Sequence, residues 1–394
     1  MDLFKKCGEY TIVQDAKEKG IYPYFHTLES KQDILVEMEG KREIMIGSNN
    51  YLGLTSHPEV IEAAVEATKK FGTGCSGSRF LNGTTTAHVA LEKELAEFLH
   101  KEDCVTLSTG FQTNLGVISA ICGRKDVILC DKENHASIYD ACRLSYGELI
   151  RYNHMDMEDL EEKLKKVPED KGILIVTDGV FSMSGEICNL PKLVELKNKY
   201  GARLMVDDAH GLGVLGKCGR GTAEYYDLED EVDLICGTFS KSLASLGGYC
   251  ACSHEVAEFM RHNSRPFIFS ASITPASLAA ARKSLEIIKR EPQRVKNLID
   301  ISDYMRKCLK ERGIAFKSSP TPIIPIYTYD VEITLKACKM LFDEGVYVNP
   351  VLPPATPVGE CLIRTAYTAT HTKELMEEAA DKILKVFKEL DLVK

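Results

Sequence analysis

Six short, mainly apolar runs set what this chain can fold into: Cys104–Leu107, Val127–Cys130, Ile173–Val176, Leu204–Val206, Val232–Cys236 and Tyr249–Cys252. Helical stretches lie between most of them. In the stretch before the first run, 87–100, Leu91, Leu95 and Leu99 recur at four-residue spacing. Continuous runs alternating with helices predict an α/β fold, a mainly parallel sheet covered on both faces. Ligands of such sheets collect at the carboxyl ends of the strands. The chain's unusual residues fall there: Ser108-Thr109-Gly110-Phe111, Asn134-His135-Ala136-Ser137, Asp178-Gly179-Val180-Phe181-Ser182, Asp207-Asp208-Ala209-His210-Gly211, and a loop holding Lys241.

The flanks differ in style. Residues 1–45 predict an arm, with a polar helix up to Gly20, Tyr22-Pro23-Tyr24-Phe25, and a hairpin about Glu39-Gly40-Lys41-Arg42. A turn at 48–54 follows, then a helix to Phe71 with Pro58 suited to its first turn. Past a helix at 276–290 come a helix at 294–312, a strand at Ile323–Tyr329, a helix at 333–344, strands near Val346–Asn349 and Cys361–Thr365, and a last helix at 372–389. The expected division is an arm (1–45), a large ligand-binding domain (46–290) and a C-terminal α+β domain (291–394). Two G-x-G-x-x-G spacings, from Gly72 and from Gly211, are decoys: the first follows a helix, and the second runs into Lys217-Cys218-Gly219-Arg220-Gly221, too glycine-rich to open one.

Composition narrows the classes of function. With 44% apolar and 27% charged residues in 394, the chain reads as an ordinary globular protein. A formal charge of −9 argues against nucleic acid as the main partner. No apolar run approaches the roughly 18 residues that cross a bilayer, and the first residues lack a signal core, so a cytoplasmic protein is expected. Fourteen cysteines are scattered without the spacing of a disulfide scaffold and read as reduced core filler. Cys250 and Cys252 share one strand face, where a direct bridge is strained.

Lys241 stands in Gly237-Thr238-Phe239-Ser240-Lys241-Ser242-Leu243-Ala244-Ser245-Leu246-Gly247-Gly248, with no other charge between Asp233 and His254. It reads either as a loop lysine or as an amine held in a pocket to form a Schiff base with a carbonyl cofactor. The second reading needs company, and the strand ends offer it. Asp207 suits a pyridine nitrogen, His210 a phenolic oxygen, His135 a ring face, and Gly110-Phe111, before a helix expected from Thr113, a phosphate. Each piece alone reads equally as a turn cap or a loop hydroxyl, Ser182 and Thr238 included. The joint placement favours a pyridoxal 5'-phosphate site.

Those motifs resemble the α-oxoamine synthases, fold-type I pyridoxal phosphate transferases that condense an amino acid with an acyl thioester and release carbon dioxide. The resemblance runs from about Ile21 to the C-terminus. It implies that Lys241 bonds the cofactor, Asp207 binds the ring nitrogen, and His135 stacks on the ring. It implies further that His210, Thr238, Ser240 and Ser182 contact the cofactor and that Gly110 and Phe111 bind its phosphate. Arg364 matches the arginine that grips the amino acid carboxylate, and Asn50 is expected near the substrate. The family works as a homodimer with shared sites, Ser270 and Thr274 reaching the phosphate from the partner subunit.

Tyr22-Pro23-Tyr24-Phe25, the Gly77–Thr84 stretch and Asn349-Pro350-Val351-Leu352-Pro353-Pro354-Ala355-Thr356-Pro357 are similar to the family's serine-using branch. The expected reaction joins L-serine to a long-chain acyl thioester, palmitoyl-CoA, to give 3-ketosphinganine, the first step of sphingolipid synthesis. The donor is coenzyme A or a carrier protein. Leu352 stands where biotin-pathway relatives carry an arginine, and an apolar residue there suits a long acyl chain over a short acidic one. Glycine with acetyl-CoA, alanine with a pimeloyl donor, and cysteate remain as alternatives. A peripheral membrane contact through the arm or the Pro353–Pro357 loop remains open too, since such a substrate partitions into lipid. Asp208 has no role on this reading.

Overall fold

The computed structural model describes residues 2–393. Its first strands, β1 (Leu35–Met38) and β2 (Lys41–Met45), form the expected antiparallel hairpin. The turn residues Glu39 and Gly40 both take positive φ, 52° and 72°, the two-residue geometry that matches strand twist. Ahead of the hairpin the single helix expected up to Gly20 is two, Lys5–Gly8 and Ile12–Glu18.

The apolar runs become strands of one seven-stranded sheet: β3 (Asp103–Leu107), β4 (Asp126–Asp131), β5 (Glu148–Tyr152), β6 (Gly172–Asp178), β7 (Arg203–Asp207), β8 (Leu234–Thr238) and β9 (Gly248–Cys252), in the order β3-β9-β8-β7-β6-β4-β5. Strands β4 to β8 run parallel, and β9 runs opposite to both of its neighbours. Alternate side chains enter separate cores: Ile175 and Leu204 pack in one layer, Leu174 and Met205 in the other. Most of the buried cysteines fill these layers as free thiols, Cys250 and Cys252 side by side on one face.

Two strands depart from the expectation. β5 carries Glu148 and Arg151, and as the edge strand it is half-exposed, so no apolar run announced it. β8 starts two residues late because Asp233 leaves the run, its carboxylate accepting from the Leu204 N–H and the Arg203 guanidinium, each at 2.8 Å. The shift takes the strand through Gly237-Thr238 and delivers Lys241 just beyond its end.

The last third builds two small sheets from β10 (Ile323–Tyr329), β11 (Val346–Tyr347), β12 (Asn349–Val351) and β13 (Cys361–Ala366). The one strand expected at 346–349 is therefore two. β11 runs parallel to β2, Val346 opposite Ile44, whereas β12 pairs with β13 in the order β10-β13-β12. One core, with Ile44, Ile324, Ile363 and Phe387 among its members, holds both sheets to the Lys373–Glu389 helix. The main sheet thus points the ends of β6, β7 and β8 toward Arg364 on β13.

Candidate active site

Asp207 closes β7 and is buried. The Asn114 amide donates to its Oδ2 at 2.6 Å and the Ala209 N–H to its Oδ1 at 3.1 Å. Both donors are neutral, and among the described residues no cationic side chain pairs with it. Asp178, opposite it in register on β6, accepts the His135 N–H at 2.9 Å. Burial, reinforced by Asp207, pushes the Asp178 carboxyl well above the usual range.

Lys241 faces these carboxylates across the cavity without a hydrogen-bond partner for its amine among the described residues. Burial drives the amine down to about 8, with the Asp207 charge pulling the other way and Arg364 adding to the fall. A lysine so placed reaches its neutral, nucleophilic form near neutral pH.

His135 begins the Ala136–Leu144 helix, and its Nδ1 accepts the Ser137 N–H at 3.2 Å. The Ser137 hydroxyl accepts from Asn114 at 2.8 Å and lies 2.7 Å from the same Nδ1. With Nδ1 an acceptor, the ring proton stands on Nε2. Although His135 is exposed at the cavity mouth, burial of its ring lowers its pKa, with Asp207 opposing. A chain Asp207–Asn114–Ser137–His135 therefore fixes a neutral imidazole. In the sequence Ser137 stood in a motif without a role of its own, and Asn114 was not singled out, since Gln112, Thr113 and Ser119 make polar residues ordinary in the Gly110–Ile121 helix.

His210, buried, meets the Tyr51 phenol at 2.7 Å through Nδ1. Burial and then the charge of Lys241 push its imidazole well below the ordinary value, so it stays neutral. Arg364 is buried too, and every partner it has is uncharged: Nε donates to the Ser182 carbonyl at 2.6 Å, and a terminal nitrogen donates to Asn49 Oδ1 at 2.9 Å and Tyr51 at 3.5 Å. A guanidinium held by neutral acceptors beside a cavity keeps its capacity for a carboxylate.

The Gly110–Ile121 helix starts three residues earlier than expected, because Thr109 accepts the Gln112 N–H at 3.1 Å as its cap. Gly110 and Phe111 are thus its first turn. A Cβ on Gly110 would stand 2.8 Å from the Thr238 Cβ, so only glycine allows this close approach. The Thr238 hydroxyl lies 2.9 Å from that of Ser240. Free helix amides and two hydroxyls suit an anion.

These groups line one cavity of about 230 Å³. Of the residues singled out in the sequence, Arg364, Asn50, Ser270 and Thr274 lie outside it. Arg364 is in the wall of an adjoining gallery of about 820 Å³, which shares His135, Ser182, His210 and Lys241 with the first cavity. The gallery is otherwise mostly apolar, walled by Ile12, Val13 and Ala16 of the arm, by Leu335, and by Val351 and Leu352. Asn50 is a correction: its side chain turns inward to accept the N–H groups of Leu54 (3.1 Å) and Thr55 (3.3 Å), and the asparagine facing the gallery is Asn49. Ser270 accepts from the Gln112 amide at 3.3 Å, and Thr274 caps the Pro275–Arg290 helix, so within one chain neither reaches the Lys241 cavity. Asp208 gains a role, receiving the Thr222 N–H (2.7 Å) and hydroxyl (2.5 Å) and so pinning the glycine-rich loop at 211–221. Burial raises its carboxyl to about 6, against those two hydrogen bonds.

The model of the aminotransferase class I and II family matches residues 41–383. A serine palmitoyltransferase from Bacteroides thetaiotaomicron is 50% identical over 391 residues, 99% of each chain. An 8-amino-7-oxononanoate synthase from Thermoanaerobacter pseudethanolicus is 40% identical over 97% of each. Among solved structures, a serine palmitoyltransferase variant from S. paucimobilis with a bound PLP–myriocin aldimine superposes at a TM-score of 0.96, with 33% identity and full coverage of both chains. A family model that spans most of the chain, and relatives 40% and 50% identical over nearly its whole length, make this chain a member of the aminotransferase class I and II family and, within it, of the α-oxoamine synthases.

Proposed function

We propose that this protein condenses L-serine with palmitoyl-CoA or a similar long-chain acyl thioester, releasing carbon dioxide and the thiol to give 3-ketosphinganine. The observation that carries the reading is the junction of the two cavities. Lys241 and a carboxylate-seeking Arg364 sit where a small polar chamber opens into a long apolar gallery. Leu352 puts an apolar side chain in the gallery wall, where a hydrocarbon chain is favoured by about 0.8 kcal/mol for each methylene it buries.

The residues present fit pyridoxal phosphate. Asp207 is a buried carboxylate with neutral donors only, ready for a protonated ring nitrogen, and Gly110, where a Cβ would collide with Thr238, lets the helix start lie against the Thr238 hydroxyl. Thr238, Ser240 and Phe111 surround that anion pocket. When bound, the cofactor supplies an electron sink for charge developing at the substrate Cα. With the cofactor bound, Asp207 would hold the proton on the ring nitrogen. His135, its Nδ1 tied to Ser137, would stack on the ring, and His210 would hydrogen-bond the phenolic oxygen. Arg364 fixes the serine carboxylate in a planar fork, with Ser182 and Asn49 setting its direction. Lys241 Nζ takes the Cα proton, and its lowered pKa places the neutral base near working pH.

The division into arm, large domain and C-terminal domain at residues 45 and 290 is kept as a proposal. We read the molecule as a cytoplasmic homodimer in which Ser270 and Thr274 of the partner subunit complete the phosphate pocket. Phe111 and Leu246, 45% and 57% exposed in the wall of that pocket, are the apolar rim such a partner would cover. Among the described residues no helix is long and apolar enough to cross a membrane. One experiment tests the reaction: products from serine, glycine, alanine and cysteate across a series of acyl-CoA lengths. Serine with a long-chain donor should dominate, and Lys241→Ala should abolish turnover together with the cofactor's visible absorption. Preference for glycine with acetyl-CoA, or normal turnover by the alanine variant, would overturn the assignment.

A further inference from the structure

One partly buried charge cluster lies outside both cavities. His154, in the loop after β5, stands among three carboxylates. Its Nδ1 is 2.9 Å from Asp131 Oδ1 at the end of β4, and its Nε2 is 3.4 Å from Glu186 Oε2 and 3.5 Å from Glu133 Oε2. Glu186 in turn holds Lys317 Nζ at 2.8 Å, from the segment leading into β10. Asp131 is buried and also accepts the N–H groups of Glu133 and Met155, both at 2.9 Å, which orients it toward the imidazole. Burial disfavours the charged imidazole, but hydrogen bonds with Asp131 and Glu186 outweigh it and raise His154 to about 9. The contacts with His154 and Lys317 hold Glu186 down to about 2 against its own burial. At neutral pH the row therefore alternates in sign, from the main sheet to the C-terminal part of the chain.

What the row grips is the loop from Gly179 to Cys188. Phe181 donates its N–H to the Glu186 carbonyl and accepts the Gly185 N–H, both at 2.9 Å, so the loop folds back on itself. The Phe181 ring meets the His154 ring edge-on, centroids 4.4 Å apart. The next residue is Ser182, whose carbonyl takes the Arg364 Nε–H. On its far side the loop is tied once more, the Gly185 carbonyl accepting from Thr321 at 2.9 Å.

We propose that His154, with Asp131, Glu186 and Lys317, is a positioning residue for amino acid binding: it fixes the Gly179–Cys188 loop so that the Ser182 carbonyl aims Arg364 at the substrate carboxylate. The inference rests on the carboxylate role given above to Arg364. It predicts a selective effect, because the cluster touches neither the cofactor chamber nor the acyl gallery.

The test uses the holoenzyme. Spectral titration with L-serine gives its Kd, and initial rates give KM for serine and for palmitoyl-CoA. His154→Gln keeps one hydrogen bond without the charge, and Lys317→Met cuts the row at its half-exposed outer end, where folding is least at risk. Each should raise the Kd and KM for serine roughly tenfold, the size expected of coupled neighbours. Saturated kcat, the KM for palmitoyl-CoA and the cofactor absorption should stay within about twofold, inside the usual non-additivity of separate sites. In an Arg364→Lys background, His154→Gln should add little, since both act through one contact. Unchanged serine affinity with a lowered melting temperature, or a rise in the palmitoyl-CoA KM instead, overturns the proposal. Should the unaltered enzyme bind glycine and refuse serine, the reaction proposed above fails, while the positioning role is read in the same way from glycine, which presents the same carboxylate.

Discussion

Asn114 touches both Asp207 and Ser137, so it bears on two groups while carrying no charge of its own. Replacing it with leucine, of similar volume, strips a donor from the buried carboxylate and from the hydroxyl that orients His135. Loss of one hydrogen bond to a charged group is worth about 1.5–3 kcal/mol. Asn114→Leu should therefore weaken cofactor retention by roughly tenfold or more, measured by titrating apoenzyme with pyridoxal phosphate. Lys241 should still form its absorbing adduct at saturation, and retention as tight as in the parent would refute the linkage. Single residues were legible in the sequence where their type was improbable for their surroundings. Lys241 among small residues and His210 after two aspartates announced themselves. Asn50 and Asn49 did not separate, because one turn residue caps the turn and its neighbour faces outward, and only backbone geometry decides which.

The Ile12–Glu18 helix is a short element whose apolar side has no core of its own to cover, apart from Ala16, and which walls the gallery with Ile12, Val13 and Ala16. Its outer tie is the exposed Lys19–Glu332 pair at 2.5 Å, a kind of contact worth little in water. A larger side chain at position 16 should take up room that the far end of the acyl chain would use. Ala16→Phe is expected to move the preferred acyl-CoA to shorter chains, lowering kcat/KM for palmitoyl relative to lauroyl donors by about tenfold for each two methylenes excluded. A parallel fall for all lengths would show that the helix does not gauge the chain. Elements were legible where burial on both faces left an unbroken apolar run, as for β3, β4, β6 and β7. They were hidden where polarity alternated, as at the edge strand β5, or where one run was divided between partners, as for β11 and β12. The early start of the Gly110–Ile121 helix was hidden because its cap is a threonine in a hydroxyl-rich stretch.

The alternating row through His154 joins the main sheet to the last third of the chain, so its protonation bears on the stability of the entire molecule. The imidazole is raised from 6.5 to about 9 in the folded protein. Its contribution, on the order of 3 kcal/mol, is fully present below the unfolded value and is lost as pH rises through about 9. Glu186 is lowered from 4.5 to about 2, so its share is present above 4.5 and lost as pH falls toward 2. The melting temperature should therefore decline between pH 7 and 9.5, and His154→Gln should flatten that decline while starting lower. An unaltered slope in the variant would show that other groups govern it. The overall α/β architecture followed from the sequence because most of its sheet is assembled from segments close in the chain, β3 beside β9 being the exception. The pairing of β2 with β11, Ile44 opposite Val346, left no local trace, since nothing in either short strand names a partner so far away.

That distance has a consequence for how the molecule is made. Every wall of the cofactor chamber comes from residues between Thr109 and Leu246, whereas the gallery draws on Tyr10 to Phe25 at one end of the chain and Val331 to Arg364 at the other. A ribosome that has just released the Lys241 sheet has produced this chain's own share of the chamber, while the arm still waits for the strand it will pair with and the carboxylate-binding arginine is not yet synthesised. The chamber walls of one chain are thus synthesised before the walls of the gallery are complete.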